Sequence, residues 1–410
     1  PEPPPILRLE TMPDHEHNPL EHRGAESPVG TGELTVEGAT EGDGVERETL
    51  DAGDEPRIEQ PFDPASIRIA TREPSVETVT ERIRRGEIEL APDFRRSGDV
   101  WSRRTQSRLI ESILLRIPMP AFCVASDPDD NWQVVVGIQR LGTLRSFIID
   151  KRLRLRGLEY LRRFEGHGYD QLPRPMQRRI TETRLTCHVI ETGTPPEVMF
   201  NILKRIIDTV GRPLAGQEIR HALNPGPARG LLRELAESAA FLRATDGSIN
   251  PRRMADRECV LRFLAFRSLG EDAYGGKLDD FLMNAMNRLN DAPARHLSLR
   301  EDFRRAMSLA WDLFGSEAFR RLGRPGPRRW RSPVNKPLFE SLGVALAEVP
   351  EDRVEGLRGR RDEVVADLRA LMDDAEFCES ISVGTQAARL VRVRFGRMRE
   401  LVGGTGHDAR

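Results

Sequence analysis

Apolar residues recur along the chain in two different rhythms. After residue 60, short runs such as "AFCVAS" and "NWQVVV" alternate with segments whose apolar residues fall every three or four positions. Ser75 is an N-cap for a helix running to Arg85, which Gly86 ends, and "EIELAPDF" reads as a short strand and turn. In "VWSRRTQSRLIESILLRIPMP", Ser102 is the expected cap. Leu109, Ile110, Ile113, Leu114 and Ile117 form the buried stripe, and Pro118 stops the helix. The strands "AFCVAS" and "NWQVVV" flank the turn "DPDD". A helix is expected over 137–150, a strand at "RLRLR", a helix at "RPMQRRITET", a strand at "LTCHVI", and helices near 195–206 and 214–223. From about Asn224 the rhythm becomes purely helical, through "ARGLLRELAESAAFLRA", "CVLRFLAFRSLG", "KLDDFLMNAMNRLN", "REDFRRAMSLAWDLFG", "KPLFESLGVALAEV" and "GLRGRRDEVVADLRALMDD".

The pattern predicts an α+β protein: a mixed α/β domain over residues 61–223 and an all-α domain over 224–410. Residues 1–60 are rich in Pro, Gly and acid with little periodicity, and we expect them to be a disordered tail. That tail holds sixteen Asp or Glu and four Arg, a balance of about −12, whereas the rest of the chain has a balance of about +10. An acidic tail on a basic body points to an anionic partner for the body; the other reading of the charge is a solvated tail and a preference for Arg over Lys. The opening residues are unlike a signal peptide and no apolar run is long enough to span a membrane, so a cytoplasmic protein with no membrane partner is expected. The four cysteines, Cys123, Cys187, Cys259 and Cys378, show neither zinc spacing nor a disulfide framework, and are expected to be buried hydrophobes. His15, His17 and His22 lie in the tail, where nothing would hold them as metal ligands.

One stretch carries candidate chemistry. In "WQVVVGIQRLGTLRSF" a strand ends at Val136, Gly137 permits a sharp turn, and a helix begins with Gln139, Arg140 and Thr143 in its first turns. A helix N-terminus with an arginine fork is suited to phosphate. The alternative is an ordinary core helix with an exposed arginine.

Three motifs occur in order: "LAPDFRRSGDVWSRRTQSRLIESILLRIPMPAF", "VVVGIQRLGTLRSFI" and "FNILKRIIDTVGRPLAGQEIRHAL". Together they resemble the N-terminal domain family of the GmrSD restriction endonucleases over roughly residues 61–223. Weaker similarity continues through "NKPLFESLGVALAE". The resemblance implies a ParB/sulfiredoxin-like fold and a nucleotide-hydrolysing module of a restriction or anti-phage system. The implied ligand is a nucleoside triphosphate, with or without Mg²⁺. The implied nucleotide-binding residues are Gly137, Gln139, Arg140, Thr143 and Arg96. Gln217, Glu218 and Arg220 of "QEIR" either line the pocket or lock their helix to the sheet, and we favour the lock.

The family signature, Asp-Gly-Gln-Gln-Arg, is altered here. Gly137, Gln139 and Arg140 match it, and Ile138 stands where relatives often carry an aliphatic residue in place of the first Gln, but Val136 occupies the acid position; valine can neither act as a base nor hold a metal ion. Relatives also carry Pro-Asp-Phe-Gln-Arg and Arg-Ile-Asn-Thr-Gly-Gly, where this chain has Pro92-Asp93-Phe94-Arg95-Arg96 and Arg205-Ile206-Ile207-Asp208-Thr209-Val210-Gly211. We therefore expect nucleotide binding without efficient turnover. Sulfiredoxin chemistry is disfavoured, because Ile138 stands where its reactive cysteine would.

Beyond His188, itself expected to be a structural strand histidine, the histidines are His221, His296 and His407, too scattered for a nuclease centre. A nuclease would come from a separate defence-system protein. DNA is the expected partner of the basic clusters, above all Arg103 and Arg104, and the loop carrying Arg329, Trp330 and Arg331, whose ring could stack on a base. Other clusters include Arg178 and Arg179, and Lys151 with Arg152, Arg154 and Arg156. The competing reading is a non-enzymatic adaptor that binds a protein and keeps the pocket only as scaffold.

Overall fold

The computed structural model describes residues 44–46, 68–90, 101–209, 215–322 and 332–403. The α/β part runs β1 (Ile69–Arg72), α1 (Val76–Arg85), β2 (Ile88–Glu89), α2 (Arg103–Leu114), β3 (Phe122–Ser126), β4 (Trp132–Val136), α3 (Ile138–Leu144), α4 (Arg174–Glu182), β5 (Cys187–Ile190), α5 (Pro196–Thr209) and α6 (Gly216–Leu223). The helical part follows with α7 (Pro227–Ala236), α8 (Ala239–Ala244), α9 (Ala255–Leu269), α10 (Leu278–Asp291), α11 (His296–Phe314), α12 (Lys336–Glu348), α13 (Glu351–Gly359), α14 (Arg361–Leu371), α15 (Ala375–Ser382) and α16 (Ala388–Gly403).

The five strands form one sheet in the order β1-β5-β3-β4-β2. β3 and β4 are an antiparallel hairpin, β5 runs parallel to β3, and β2 runs parallel to β4. The "DPDD" turn closes the hairpin because the Asp127 carboxylate accepts from the Asp129 and Asn131 amides at 2.9 and 2.8 Å. Both faces of the sheet are covered, which is why its central strands are apolar almost throughout. Val124, Trp132, Val134 and Val189 pack with α1, α2 and α3 on one face. Cys123, Val135 and Ile190 pack with Phe200, Leu203, Ile219, Ala222 and Met283 on the other. Met283 belongs to α10, so the helical part completes the second face of the sheet.

α9 and α12 are buried on nearly every side, and the other helices wrap them. Phe263 and Phe303 meet edge-on at 5.0 Å between ring centroids, and Gly343 lets α12 approach Phe263, where a Cβ would sit 3.1 Å from its ring.

Ser75 and Ser102 cap α1 and α2 as their positions predict. Other expectations are corrected. "RLRLR" is not a strand. Leu153 and Leu155 do alternate inward, but Leu155 exchanges backbone bonds with His167 and Gly166 in a loop and finds no strand edge. α2 ends at Leu114, before Pro118, because Arg116 takes a left-handed conformation (φ 60°), and Ile117 leaves the buried stripe. The helix expected over 137–150 widens into a π-helical turn over Arg145–Ile149. "ARGLLRELAESAAFLRA" is broken at Ser238, whose hydroxyl caps α8. β1 and α16 carry no expectation from the pattern. Within the tail, Gly44–Glu46 is an exception to the expected disorder. Val45 is buried and bridges Val334, and Glu46 meets Arg321 at 2.8 Å and Asn335 at 2.8 Å. The rest of residues 1–60 lies outside the described residues.

Arg220 of α6 joins the two parts. It is 1% exposed; its Nε–H donates to Gln217 at 3.0 Å and its Nη1 to Asp279 of α10 at 2.6 Å. Its Nη2 lies 4.0 Å from Glu258 of α9. Glu258 also meets Lys336 and Arg262 at 3.1 Å, and Arg262 meets Glu340, which Arg394 of α16 holds in turn. The ionic network therefore runs from α6 through α9, α10 and α12 to α16. Burial alone would raise the Glu258 carboxyl, but the charges of Lys336, Arg262 and Arg220 outweigh it and hold it well below the usual carboxylate range.

Arg220→Met is expected to cost about 2–4 kcal/mol in urea unfolding, because it strips a buried partner from Glu258 while Asp279 keeps some solvent. A loss below about 0.5 kcal/mol would show the network to be incidental. Glu258, with its folded pKa depressed, contributes stability that is present above the unfolded carboxylate pKa and is lost as pH falls below about 4. Glu258→Gln is expected to lower stability at neutral pH and to flatten that acid-side loss, read by thermal melts across pH.

Candidate functional site

The signature turn joins β4 to α3. Gly137 has φ 103°, and a Cβ there would fall 2.3 Å from the Phe122 ring, so both the backbone and the packing require glycine. Leu141 and Leu144 anchor α3 to the sheet. The turn follows the sharp geometry that the sequence predicts, but its side chains point differently.

Arg140 is 8% exposed. Its Nη1 donates to the Pro120 carbonyl and its Nη2 to the Ala121 carbonyl at 3.0 Å, and its guanidinium carbon sits 4.2 Å over the Phe122 ring. Burial lowers its pKa from the ordinary arginine value. The fork that would grip a phosphate instead grips the chain entering β3. Thr143 is fully buried, and its hydroxyl donates to the Gln139 carbonyl at 2.8 Å. Arg140 and Thr143, expected in the first turns of a phosphate-binding helix, are thus both turned inward. Gln139 is less constrained; its Oε1 accepts from the Trp101 amide at 3.4 Å, which brings the start of α2 beside α3. Arg103 and Arg104 are exposed there, in the first turn of α2.

The "QEIR" residues are elsewhere. Ile219 and Ala222 pack on the sheet face opposite to the one that holds Leu141 and Leu144. Gln217 orients Arg220, and Glu218 accepts from the Ala215 amide at 2.8 Å, capping its own helix. The lock that this motif forms reaches α9 and α10 as well as the sheet. Arg96, Arg329, Trp330 and Arg331 lie outside the described residues.

Cys123 and Cys187 sit close to this turn, and burial pushes both thiols up to about 11, so neither is a ready nucleophile. Among the described residues, no cluster of three His, Cys, Asp or Glu side chains has the makings of a metal site. At the turn Val136 supplies no carboxylate, and both Nη groups of Arg140 are held by carbonyls, so these two residues offer a Mg²⁺-bound triphosphate neither a metal ligand nor a free fork. The residues that sequence reasoning missed are Arg140's partners: Pro120, Ala121 and Phe122. The segment "PMPAF" signals only a constrained entry to a strand, not an acceptor pair.

No protein-family model matches the chain. No curated protein and no solved structure matches it either.

Arg140→Ala is expected to destabilise the fold by about 2–3 kcal/mol in urea unfolding, because two inward carbonyls lose their donors. Gln139→Ala is expected to cost under about 1 kcal/mol. Equal small effects would return Arg140 to the surface role.

Proposed function

We propose that this chain is a non-hydrolysing, DNA-associated binding component of a restriction or anti-phage system, of the kind that the resemblance to the GmrSD N-terminal family implies. Nuclease activity would come from a separate protein. The observation that carries the non-hydrolysing part is the inward fork of Arg140 on Pro120 and Ala121, beside a strand end where Val136 replaces the acid. Phosphate recognition would require Arg140 to abandon two carbonyls and the Phe122 ring. Hydrolysis would require a base or metal ligand as well. Each departure counts against turnover independently.

The defence context and the DNA partner rest on the ordered sequence motifs and on the charge of the body. A nucleotide sensor, with Gly137 and Gln139 at the turn and Arg96 beside it, is the second reading; it is favoured by the half-buried Gln139, bonded to Trp101 close to the exposed Arg103 and Arg104. Calorimetric titration with each of the four ribonucleoside triphosphates, with and without Mg²⁺, separates the two. We expect no phosphate release from the native chain or from Val136→Asp, since the acid alone does not free Arg140. Phosphate release that Arg140→Lys abolishes would overturn the proposal, and saturable binding without release would favour the sensor.

A further inference from the structure

A groove of about 690 Å³ runs between the C-terminal end of α2 and helix α4. Arg116, Arg174, Arg178, Arg179 and Arg184 line it, against a single carboxylate, Glu182. We infer that this groove holds one strand of nucleic acid by its sugar-phosphate backbone, an inference that rests on the DNA-associated reading above and names the surface responsible.

The walls are fixed to each other. Arg179 donates to the Leu114 carbonyl at 3.0 Å, tying α4 to the end of α2. The remaining arginines keep their charge available. Arg174 bonds a neutral partner, Gln177, at 3.3 Å, and Arg184 bonds the Glu73 carbonyl at 3.1 Å. Among the described residues no carboxylate pairs with Arg116, Arg174 or Arg184. Arg178 pairs with Glu182 at 3.1 Å, but both side chains are more than half exposed and the pair is readily exchanged for a stronger anion. Arg116 stands in the left-handed position after α2, where glycine would sit without strain. An exposed arginine in a groove of like charges, with no carboxylate partner among the described residues, is suited to an anion that lies across them.

The floor decides which anion. Ile117 is 50% exposed, and Pro118, Met119 and Pro175 continue the apolar surface. A deoxyribose presents C–H faces between its phosphates, so an apolar floor with arginine walls fits an alternating sugar-phosphate chain. No aromatic ring lines the groove, so no ring is there to stack on a base, and the arginines face whichever backbone lies along it. Contacts to sugar and phosphate carry no base sequence, and binding through them depends steeply on salt.

The test is fluorescence anisotropy of the full chain with a labelled duplex and with its single strand, across a salt series. The variants are the native chain, Arg116→Ala with Arg174→Ala and Arg184→Ala, and Glu182→Gln. The changed side chains are exposed, and a matched thermal melt checks folding. The triple variant is expected to bind at least about tenfold more weakly. Its slope of log affinity on log salt is expected to fall by about 0.9 for each duplex phosphate that is no longer neutralised, or about 0.7 on the single strand. Glu182→Gln is expected to tighten binding by freeing Arg178. If the native chain binds neither probe, the DNA-associated reading itself fails. If it binds and the triple variant binds equally with the same slope, the groove is wrong while that reading stands. An acidic amphipathic peptide that saturates the groove while DNA binding is unchanged would make it a protein-docking site and would also overturn the inference.

Discussion

The buried guanidinium of Arg220 is the constraint on which the arrangement of this protein depends. An arginine cannot lose its charge inside a protein, so each one placed there must be surrounded by acceptors. Arg220 finds them on α6 itself and on α9 and α10, and this forces the helical part against the second face of the sheet. Met283 then fills the apolar layer that Ile219 and Ala222 begin, and the Asn224 amide bonds both the Arg220 carbonyl and the Met283 sulfur. Ionic and apolar contacts at this joint are laid down by the same two turns of helix.

Arg140 repeats the principle on the other face. There the acceptors are two carbonyls and the face of a ring, and the result is a clamp on the chain before β3. Both arginines belong to motifs that a functional reading assigns to a pocket. In each case the planar fork serves equally well for phosphate and for backbone oxygen, so residue type and spacing cannot distinguish the two uses. Only the position of the acceptors does.

This ambiguity explains what was legible in the sequence. The central strands, the hairpin turn, the caps at Ser75 and Ser102 and the switch to helices near Asn224 follow from periodicity and local hydrogen bonding, and they are found where those rules put them. The misreadings arise where tertiary contact decides. Leu153 and Leu155 alternate inward like a strand yet have no strand beside them, and the end of α2 is set by one left-handed arginine. The charge balance says nothing of where each charge lies. Arg140, Arg220, Arg257, Arg262, Arg320 and Arg394 are buried, as are Glu111, Glu218, Asp256 and Glu340, so these charges are internal structure and do not face a partner. The arginines of the groove between α2 and α4 come together from positions far apart in the chain, and of them only Arg178 and Arg179 stand out as a cluster in the sequence.

The central claim is that Arg140 is a structural clamp. Nuclear magnetic resonance of its guanidinium N–H groups tests this most directly, with and without a nucleoside triphosphate and Mg²⁺. The account requires protected, slowly exchanging N–H signals that stay in place when the nucleotide is added. Fast exchange in the free protein, or a saturable shift of the Arg140 signals on adding nucleotide, would contradict it and restore the arginine to a phosphate site.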